Sequence, residues 1–392
     1  MKRVDVVVVG GGIHGVGVAQ AAAAAGHSVL LLEKKKLAAG TSSRSSKLIH
    51  GGLRYLESGQ FHLVRESLRE RRILLSVAPE LVQLKPFFLP LYRTTRRHPW
   101  QLRLGLSLYA ILGGLGPETR FSTVPRSAWG DLDGLQTRGL VTVLSYLDAQ
   151  TDDVALTRAV MRSAETLGAE RAAPAELFAA EVRADSVIAR YTHAGAPEEV
   201  AARVLVNAAG PWVKRVMDRV TPAVNSPRIE LVQGSHIVVL DALLQGIYYV
   251  ESPRDGRAIF VMPWRGNMLV GTTETRFRGD PDGVQPLTAE KHYLVNVLRH
   301  YFPRHAQLTV GELLDSFAGV RVLPAGAGHA FHRSRETLLV CDREDRPRAL
   351  GIYGGKLTGW RATAEQVMRR ISASLPKRPA RADTRTLRLT PD

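Results

Sequence analysis

The chain has 392 residues, of which 45% are apolar and 23% are charged. This composition is that of an ordinary soluble globular protein, and the length exceeds what one hydrophobic core usually supports, so we expect two closely joined domains. No segment has the length and apolarity of a membrane-spanning helix, so the sequence predicts none.

The formal net charge of +16 indicates anionic partners. An anionic lipid surface and a phosphorylated substrate both fit it, and a solvated arginine-rich surface is the alternative. Because no nucleic-acid-binding motif accompanies the charge, we expect no nucleic-acid partner. Cys341 is the single cysteine, which excludes an internal disulfide and fits a reducing compartment. We therefore expect a cytoplasmic protein, and we predict no metal site.

The start of the chain has the pattern of a βαβ unit. Valine-rich residues 4–9 predict a strand buried in a parallel sheet, small residues over 13–25 predict a helix, and residues 28–32 predict a second strand. Asp5 and the dense glycines interrupt any smooth apolar run, so this segment is not a signal peptide.

The turn between the first strand and the helix carries the pattern G-x-G-x-x-G. Gly10 permits a tight turn, Gly12 lets the backbone approach a pyrophosphate, and Gly15 lets the helix pack closely on the strand. The helix N-terminus offers amide donors to phosphates, and Glu33 stands where a carboxylate accepts from a ribose 2′-hydroxyl. The pattern predicts a bound dinucleotide, NAD or FAD. The candidate cofactor-binding residues here are Gly10, Gly12, Ile13, His14, Gly15 and Glu33.

A dense polar segment, TSSRSSKLIHGGLRYL, follows at residues 41–56. It combines hydroxyls, cationic groups, a histidine and a Gly-Gly pair, and this mixture beside a nucleotide fingerprint indicates substrate chemistry. Residues 63–75 then show helical apolar spacing. Residues 93–115 join an arginine cluster, Trp100 and an apolar run. This segment fits a helix lying in a lipid interface, or equally a core helix with a basic entry loop.

The middle of the chain differs from its start. Residues 201–209 predict another buried strand, whereas segments such as SHIVVL, RAIFVMPW and NMLVGTT are short, alternating and separated by turns, which predicts an antiparallel sheet. Near the end, ALGIYGG again has the apolar pattern of a strand buried in a parallel sheet. Residues 357–371 then predict a helix that packs on the first domain. A second glycine motif at 353–358 precedes that helix and favours FAD over NAD, because its amides could serve a flavin ring.

These patterns predict an α/β protein with a discontinuous nucleotide domain. We assign residues 1–90, 145–228 and 335–375 to an FAD-binding Rossmann domain, and residues 91–144 and 229–334 to an antiparallel-sheet substrate-binding domain. The basic, proline-containing tail at 376–392 is expected to be disordered.

Seven segments resemble, in order, the FAD-dependent glycerol-3-phosphate dehydrogenase family. They are DVVVVGGGIHGVGVA, TSSRSSKLIHGGLRYL, NAAGPWV, QGSHIVV, VGTTET, FAGVRVLP and YGGKLT. The resemblance spans about residues 4–364, and SSKLIHGGLRYL is its most specific part. It implies a glutathione-reductase-like FAD domain and oxidation of sn-glycerol 3-phosphate to dihydroxyacetone phosphate. Longer members carry a helical cap beyond GGKLT, so we expect a short form that lacks this cap.

The resemblance and the residue chemistry together define a candidate site. Oxidation of an alcohol needs a proton acceptor, for which His50 is the leading candidate and His236 the competitor; each is otherwise a structural histidine. A phosphate needs cationic anchors. The substrate-side candidates are Arg54, Tyr55, Arg321 and Lys356, with Arg321 also placed in the catalytic set. The further FAD-binding candidates are Thr41, Ser42, Ser46, Lys47, Leu48, Gly210, Gly355, Lys356, Leu357 and Thr358.

Three functions remain open at this point. The first is oxidation of glycerol 3-phosphate, with electrons passed to a quinone or another acceptor such as oxygen. The second is oxidation of another anionic hydroxy acid or an amine on the same fold. The third is a non-catalytic flavin-binding subunit. Passing electrons to a quinone would suit peripheral attachment to the inner face of the cytoplasmic membrane.

Overall fold

A computed structural model describes residues 1–57, 59–325 and 337–391. The helices of the described residues are α1 (Ile13–Ala24), α2 (Phe61–Val77), α3 (Pro99–Leu112), α4 (Asp153–Thr166), α5 (Val213–Met217), α6 (Thr288–Tyr301) and α7 (Trp360–Ile371).

The strands belong to two sheets. In chain order they are β1 (Lys2–Val9), β2 (Val29–Leu32), β3 (Leu48–Ile49), β4 (Val82–Tyr92), β5 (Phe121–Thr123), β6 (Leu140–Thr151), β7 (Glu170–Ala172), β8 (Ala175–Val182), β9 (Val187–His193), β10 (Ala196–Asn207), β11 (Val220–Thr221), β12 (Ile229–Val239), β13 (Ile247–Glu251), β14 (Ala258–Trp264), β15 (Asn267–Gly271), β16 (Thr275–Phe277), β17 (Asp315–Pro324), β18 (Leu338–Cys341) and β19 (Ala349–Tyr353).

The first sheet is built around β1. Its order is β11-β8-β9-β10-β1-β2-β7, and β19 pairs with β10 and β18. β1 pairs in parallel with β2 on one side and β10 on the other. Its valines are buried because both faces of the sheet are covered: Val6 and Val8 pack in the cluster that contains α1, and Val7 and Val9 pack in the cluster on the other face. The βαβ unit and the late return of the chain to this sheet are therefore confirmed.

Helix α1 packs closely because its sequence is made of small residues. A Cβ atom on Gly15 would lie 1.8 Å from the carbonyl oxygen of Gly10, and one on Gly17 would lie 2.6 Å from the ring of Trp360. The helix therefore rests against the turn below it and against α7, which carries Trp360. This packing brings the N-terminus of α1 next to the start of α7.

The second sheet is largely antiparallel, as the sequence predicts. Its order is β16-β12-β15-β14-β13-β4-β6-β3, with β17 on β12 and β5 on β6. Two long strands cross the predicted domain boundaries: β4 and β6 belong wholly to this sheet, so residues 82–90 and 145–151 are part of the second domain. The predicted boundary at 334/335 lies outside the described residues.

The prediction of a disordered tail is wrong for residues 376–391. The backbone N–H of Arg381 donates to the carbonyl oxygen of Ala24, and that of Leu389 donates to Val77. The side chain of Leu389 is 1% exposed and belongs to the core between the first sheet and its helices. A buried leucine, backbone hydrogen bonds and ion pairs of Arg378, Arg385 and Arg388 thus hold a segment whose composition indicates disorder.

Candidate functional site

A long cleft runs between the two domains. It begins at the carboxyl end of β2, passes the glycine turn after β1, and reaches the strands of the second sheet. Its walls come from residues 9–14, 32–35, 39–42, 44–46, 208–212, 319–323 and 354–358, together with single residues from both domains. The glycine fingerprint, the polar segment and the late glycine motif therefore meet in one cleft, although they are far apart in sequence.

The fingerprint turn has the geometry that its glycines predict. Gly10 has a φ of +112°, and a Cβ atom there would lie 2.7 Å from the carbonyl oxygen of Ala208. The hydroxyl oxygen of Ser42 accepts from the backbone N–H of Ile13 at 2.9 Å. The first turn of α1 contains no acidic residue. Its positive dipole end is thus available to an anion in the cleft.

Glu33 directly follows β2 and lies where the cleft begins. Its Oε2 atom accepts from the backbone N–H of Gly11 at 2.6 Å, and Oε1 accepts from that of Lys35 at 2.8 Å. These bonds hold the carboxylate beside the glycine turn, where it fits the ribose of a dinucleotide.

Asp282, on a loop of the second domain, closes this end of the cleft. Its carboxylate accepts from the ammonium groups of Lys35 at 2.9 Å and Lys34 at 3.2 Å, and from the indole N–H of Trp212 at 3.2 Å. The hydrogen bond from Lys35, and after it that from Lys34 and the charges of both lysines, lower the pKa of Asp282. Gly210, with a φ of +54°, lines the same region as Trp212.

The late glycine motif lies against the fingerprint. Gly355 has a φ of +113°, and a Cβ atom there would lie 2.1 Å from Nε2 of His14. Burial lowers the pKa of His14 to about 4, so its ring is neutral near neutral pH. The hydroxyl oxygen of Thr358 accepts from the backbone N–H of His50 at 3.1 Å. Leu357 and Leu48 line the cleft nearby.

The polar segment connects both domains. The hydroxyl of Thr41 donates to the carbonyl oxygen of Val320 in β17 at 2.7 Å. Lys47 corrects an expectation: its ammonium donates to both carboxylate oxygens of Asp153, at 2.7 and 2.9 Å, and to the carbonyl oxygen of Ser43. The pair is buried, so the side chain of Lys47 supports the loop from behind instead of contacting a cofactor.

His236 is buried where the polar segment meets β12. Its Nε2 atom lies 3.0 Å from the hydroxyl oxygen of Ser46, and its ring stacks on Phe317 with centroids 4.9 Å apart. Burial, then the charges of Arg321 and Lys47, lower its pKa well below the usual range. The imidazole is therefore neutral and poorly suited to take up a proton.

Arg321 projects from β17 toward the cleft. One of its terminal nitrogens donates to the hydroxyl oxygen of Thr272 at 3.0 Å and to the carbonyl oxygen of Thr273 at 3.2 Å. A Cβ atom on Gly234 would lie only 2.0 Å from that same nitrogen. The glycine of the Gly-Ser-His segment thus leaves the space that the guanidinium occupies.

Of the remaining substrate-side candidates, Lys356 and Tyr55 line the cleft with His50, and the ammonium of Lys356 lies 4.0 Å from the ring centre of Tyr55. Arg54 precedes Tyr55 in a short helix at Leu53–Leu56 and is not among the residues that line the cleft. Burial raises the pKa of Tyr249, and the charges of Arg97 and then Arg54 offset part of this rise. His50 lies 6.3 Å from Phe260, ring centre to ring centre.

Sequence reasoning missed three residues that shape the cleft: Asp153, Asp282 and Tyr109. Asp153 and Asp282 face lysines that lie more than a hundred positions away, and no local pattern marks such pairs. The hydroxyl of Tyr109 contacts the turn after His50. The apolar run around Tyr109 is its visible signal, and it indicates only a helix.

The residues present fit a flavin dinucleotide. A helix N-terminus and a glycine turn face the middle of the cleft, an acidic residue stands at one end, and a second glycine turn with positive φ lies toward the other. The ring of His14, in the first turn of α1, lies against the second glycine turn at Gly355.

Comparison with known proteins agrees with this assignment. The family model of FAD-dependent oxidoreductases (DAO) matches residues 5–360. The chain is 37% identical to D-erythritol 1-phosphate dehydrogenase of Brucella abortus, over 95% of this chain and 74% of that protein. It is also 37% identical to aerobic glycerol-3-phosphate dehydrogenase of Escherichia coli, with the same coverage, and 38% identical to glycerol-3-phosphate dehydrogenase of Pseudomonas aeruginosa over 94% and 71%.

Solved structures show the same fold. Glycerol-3-phosphate dehydrogenase from Bacillus halodurans, complexed with FAD, superposes with a TM-score of 0.76 at 25% identity, covering 99% of this chain and 68% of that one. L-alpha-glycerophosphate oxidase from Mycoplasma pneumoniae has a TM-score of 0.77 at 19% identity, covering 97% of each chain, which shows the fold alone. The chain therefore belongs to the family of FAD-dependent oxidoreductases, in the branch that contains the glycerol-3-phosphate dehydrogenases, and FAD is its cofactor.

Proposed function

We propose that the protein oxidises sn-glycerol 3-phosphate at its secondary alcohol to dihydroxyacetone phosphate. The observation that carries this proposal is the grouping of Arg321, Lys356 and His50 along one cleft with the second glycine turn. Two cations suit a phosphate, and an imidazole suits an alcohol proton. Relatives named glycerol-3-phosphate dehydrogenase support the choice of substrate.

FAD, when bound, supplies the acceptor for the hydride that leaves the alcohol carbon. The chain supplies placement and proton transfer. The guanidinium of Arg321 offers a planar fork of donors to the phosphate, held in direction by Thr272 and Thr273. Lys356 adds a second cation, fixed over the ring of Tyr55. Arg54, in the short helix that also holds Tyr55, is a third cation near this site, although it does not line the cleft.

His50 is the proposed base that accepts the alcohol proton. It lines the cleft, and its backbone N–H is held by Thr358 at the start of the last helix. His236 is the weaker candidate, because its buried ring has a strongly lowered pKa and its Nε2 already faces Ser46. We assign His236 to orienting Ser46 in the cleft wall.

A longer polyol phosphate is the second candidate substrate. The relative from Brucella abortus acts, by its name, on D-erythritol 1-phosphate, which carries one more hydroxymethylene group than glycerol 3-phosphate. The same cations and base would serve either molecule. The length of substrate that the cleft accepts would then decide between glycerol 3-phosphate and D-erythritol 1-phosphate.

Anaerobic reduction of the bound flavin tests these proposals. Holoenzyme is mixed with glycerol 3-phosphate, D-erythritol 1-phosphate, glycerol, a 2-hydroxy acid or an amino acid, and the loss of the yellow flavin absorbance is followed. Loss with glycerol 3-phosphate and none with glycerol is expected. Faster reduction by erythritol 1-phosphate would replace the substrate, and reduction by the amino acid alone would overturn the phosphate proposal. FAD bound without reduction by any of these would favour a non-catalytic subunit.

For the electron acceptor we propose a quinone, reached from a peripheral position on the membrane. Trp100, Leu104 and Ile111 are exposed along one side of α3, following the basic residues at 93–97. This arrangement suits a helix resting on an anionic lipid surface. No helix among the described residues is long and apolar enough to cross a bilayer.

Membrane association is tested by fractionating cells at low and high salt. Protein that sediments with membranes at low salt and is released at high salt is expected. Protein found wholly in the supernatant at low salt would contradict the interfacial position. Rapid reoxidation by oxygen, with none by quinone, would assign oxygen as the acceptor.

A further inference from the structure

A buried chain of hydrogen bonds ends on the turn that follows His50. The backbone N–H of Gly51 donates to the hydroxyl oxygen of Tyr109 at 2.9 Å, and that hydroxyl donates to Oδ2 of Asp148 at 2.6 Å. The other carboxylate oxygen, Oδ1, accepts from Arg71 at 2.8 Å. Tyr109, Asp148 and Arg71 are all at most 1% exposed. Three elements, α3, β6 and α2, therefore converge on one backbone amide.

The direction of these bonds is fixed by protonation. Burial, and next to it the charge of Asp148, raise the pKa of Tyr109 well above its usual value. The phenol therefore stays protonated and donates its hydrogen bond to Asp148. Its oxygen can then accept the hydrogen bond from the backbone N–H of Gly51. An unpaired Gly51 amide would be buried without a partner, which is unfavourable.

The contact is also sterically tight. A Cβ atom on Gly51 would lie 2.4 Å from the hydroxyl of Tyr109, so only glycine leaves room for it. Gly52 follows with a φ of +76°, and the chain then enters the short helix that holds Arg54 and Tyr55. Any shift of the Tyr109 hydroxyl therefore moves a backbone turn with His50 on one side and the substrate-side residues on the other.

A contribution to stability alone does not account for this buried chain of hydrogen bonds. A buried ion pair replaced by apolar side chains of similar volume often leaves stability unchanged or raises it, whereas ionic groups fix geometry. Here the geometry that is fixed belongs to the turn beside the proposed base.

We propose that Tyr109, held by Asp148 and Arg71, is a positioning residue that sets the place of His50 in the cleft. Tyr109 does not touch substrate or cofactor in this role and acts through Gly51. The inference rests on the proposed function of His50, and its consequence is that deleting one hydroxyl slows the reaction without removing any group from the cleft.

The test compares Tyr109→Phe with Tyr92→Phe in the holoenzyme. Tyr92 is the matched control, because it is also a buried tyrosine whose hydroxyl donates one hydrogen bond, at 2.6 Å to the carbonyl oxygen of Gln136 in the second domain. For both variants we measure FAD content, the rate of flavin reduction at saturating glycerol 3-phosphate, KM, and hydrogen exchange of a peptide covering residues 48–53.

Tyr109→Phe should retain FAD and lose on the order of ten- to a hundred-fold in the reduction rate, with a smaller change in KM because Arg321 and Lys356 lie on other segments, and it should exchange faster at residues 48–53. Tyr92→Phe should match the wild type in all four. A wild-type reduction rate in Tyr109→Phe overturns the proposal, and so does an equal loss in both variants, since that would be general loosening.

If Tyr109→Phe does not fold, Asp148→Asn weakens the same chain while leaving the phenol in place, and a wild-type rate there overturns the proposal. If wild-type holoenzyme is not reduced by any polyol phosphate, the proposed function fails, and hydrogen exchange alone decides: faster exchange at residues 48–53 in Tyr109→Phe supports the positioning role, and unchanged exchange overturns it.

Discussion

Nε2 of His236 lies 3.0 Å from the hydroxyl oxygen of Ser46, across the junction between the second sheet and the polar segment. Both histidines line the cleft, but the ring of His236 is buried and its pKa lies well below the usual range. His50 stands on the turn between β3 and the short helix at Leu53–Leu56. The two histidines of the motif set therefore have different environments and different expected roles.

Substituting each histidine separates these roles. His50→Asn should lower the rate of flavin reduction by about 10²–10⁴-fold with FAD retained, since general base catalysis has that magnitude. His236→Asn should cost much less, and His292→Asn, at an exposed position of α6, is the control. The measurement is stopped-flow reduction by glycerol 3-phosphate. A large loss in His236→Asn with little change in His50→Asn would reverse the assignment.

Gly234→Ala should displace Arg321 without removing its charge. The new Cβ would lie 2.0 Å from the terminal nitrogen, so the guanidinium must move from its bonds to Thr272 and Thr273. Losing a charge-assisted hydrogen bond to the phosphate costs about 1.5–3 kcal/mol, so KM should rise roughly ten- to a hundred-fold. Gly130→Ala is the control, because no atom lies within 4 Å of its Cβ position. Steady-state kinetics decide, and equal KM values in both variants would remove Arg321 from the anion site.

The stability of the protein should depend on pH through His14. Its pKa falls from 6.5 in the unfolded chain to about 4 in the fold because the ring is buried. Below pH 6.5 the unfolded state takes up a proton that the folded state refuses, so the free energy of unfolding falls as pH drops from 6.5 toward 4. The full loss from this one group is about 3 kcal/mol. Urea unfolding of the wild type and His14→Asn at pH 7 and pH 4.5 measures it; the variant should lose less stability on acidification, and parallel losses would contradict the assignment.

The C-terminal segment should contribute to stability through Leu389. Leu389→Ala removes a fully buried side chain from the core of the first domain and should lower the free energy of unfolding by about 2–5 kcal/mol. Arg388→Ala removes an exposed ion pair with Glu80, 3.2 Å long, and should cost less than about 1 kcal/mol. Chemical denaturation distinguishes them. Equal, small effects would restore the expectation of a disordered tail.

Local patterns predict the parts of the fold that local forces determine. The βαβ unit and its glycine turn follow from β-branched residues, small residues and positive φ values at known spacings, and the structure confirms them. The two-sheet architecture and the antiparallel style of β12, β14 and β15 are confirmed as well. The predicted boundaries place residues 82–90 of β4 and 145–151 of β6, most of each strand, in the wrong domain. No local signal tells which of two sheets a long strand joins.

Contacts between residues that are distant in sequence limit how much of the candidate site can be predicted from the sequence. From the sequence, Lys47 is interpreted as one more polar group of a cofactor-binding loop. Only its contact with Asp153, in α4, indicates a structural role for its side chain. The tail likewise has the composition of a disordered segment, and a leucine that fits the core, together with backbone hydrogen bonds and ion pairs, reverses this expectation. In both cases the deciding contact joins residues that no spacing relates.

The buried pair of Lys47 and Asp153 has a consequence for the order in which the holoenzyme is assembled. It joins the loop that forms one wall of the cleft to the first turn of α4 by contacts within the chain alone. The wall therefore does not need the flavin as a template. We expect FAD to enter a groove that has already formed, so that stripped protein recovers its colour on mixing with free FAD without first passing through an unfolded state.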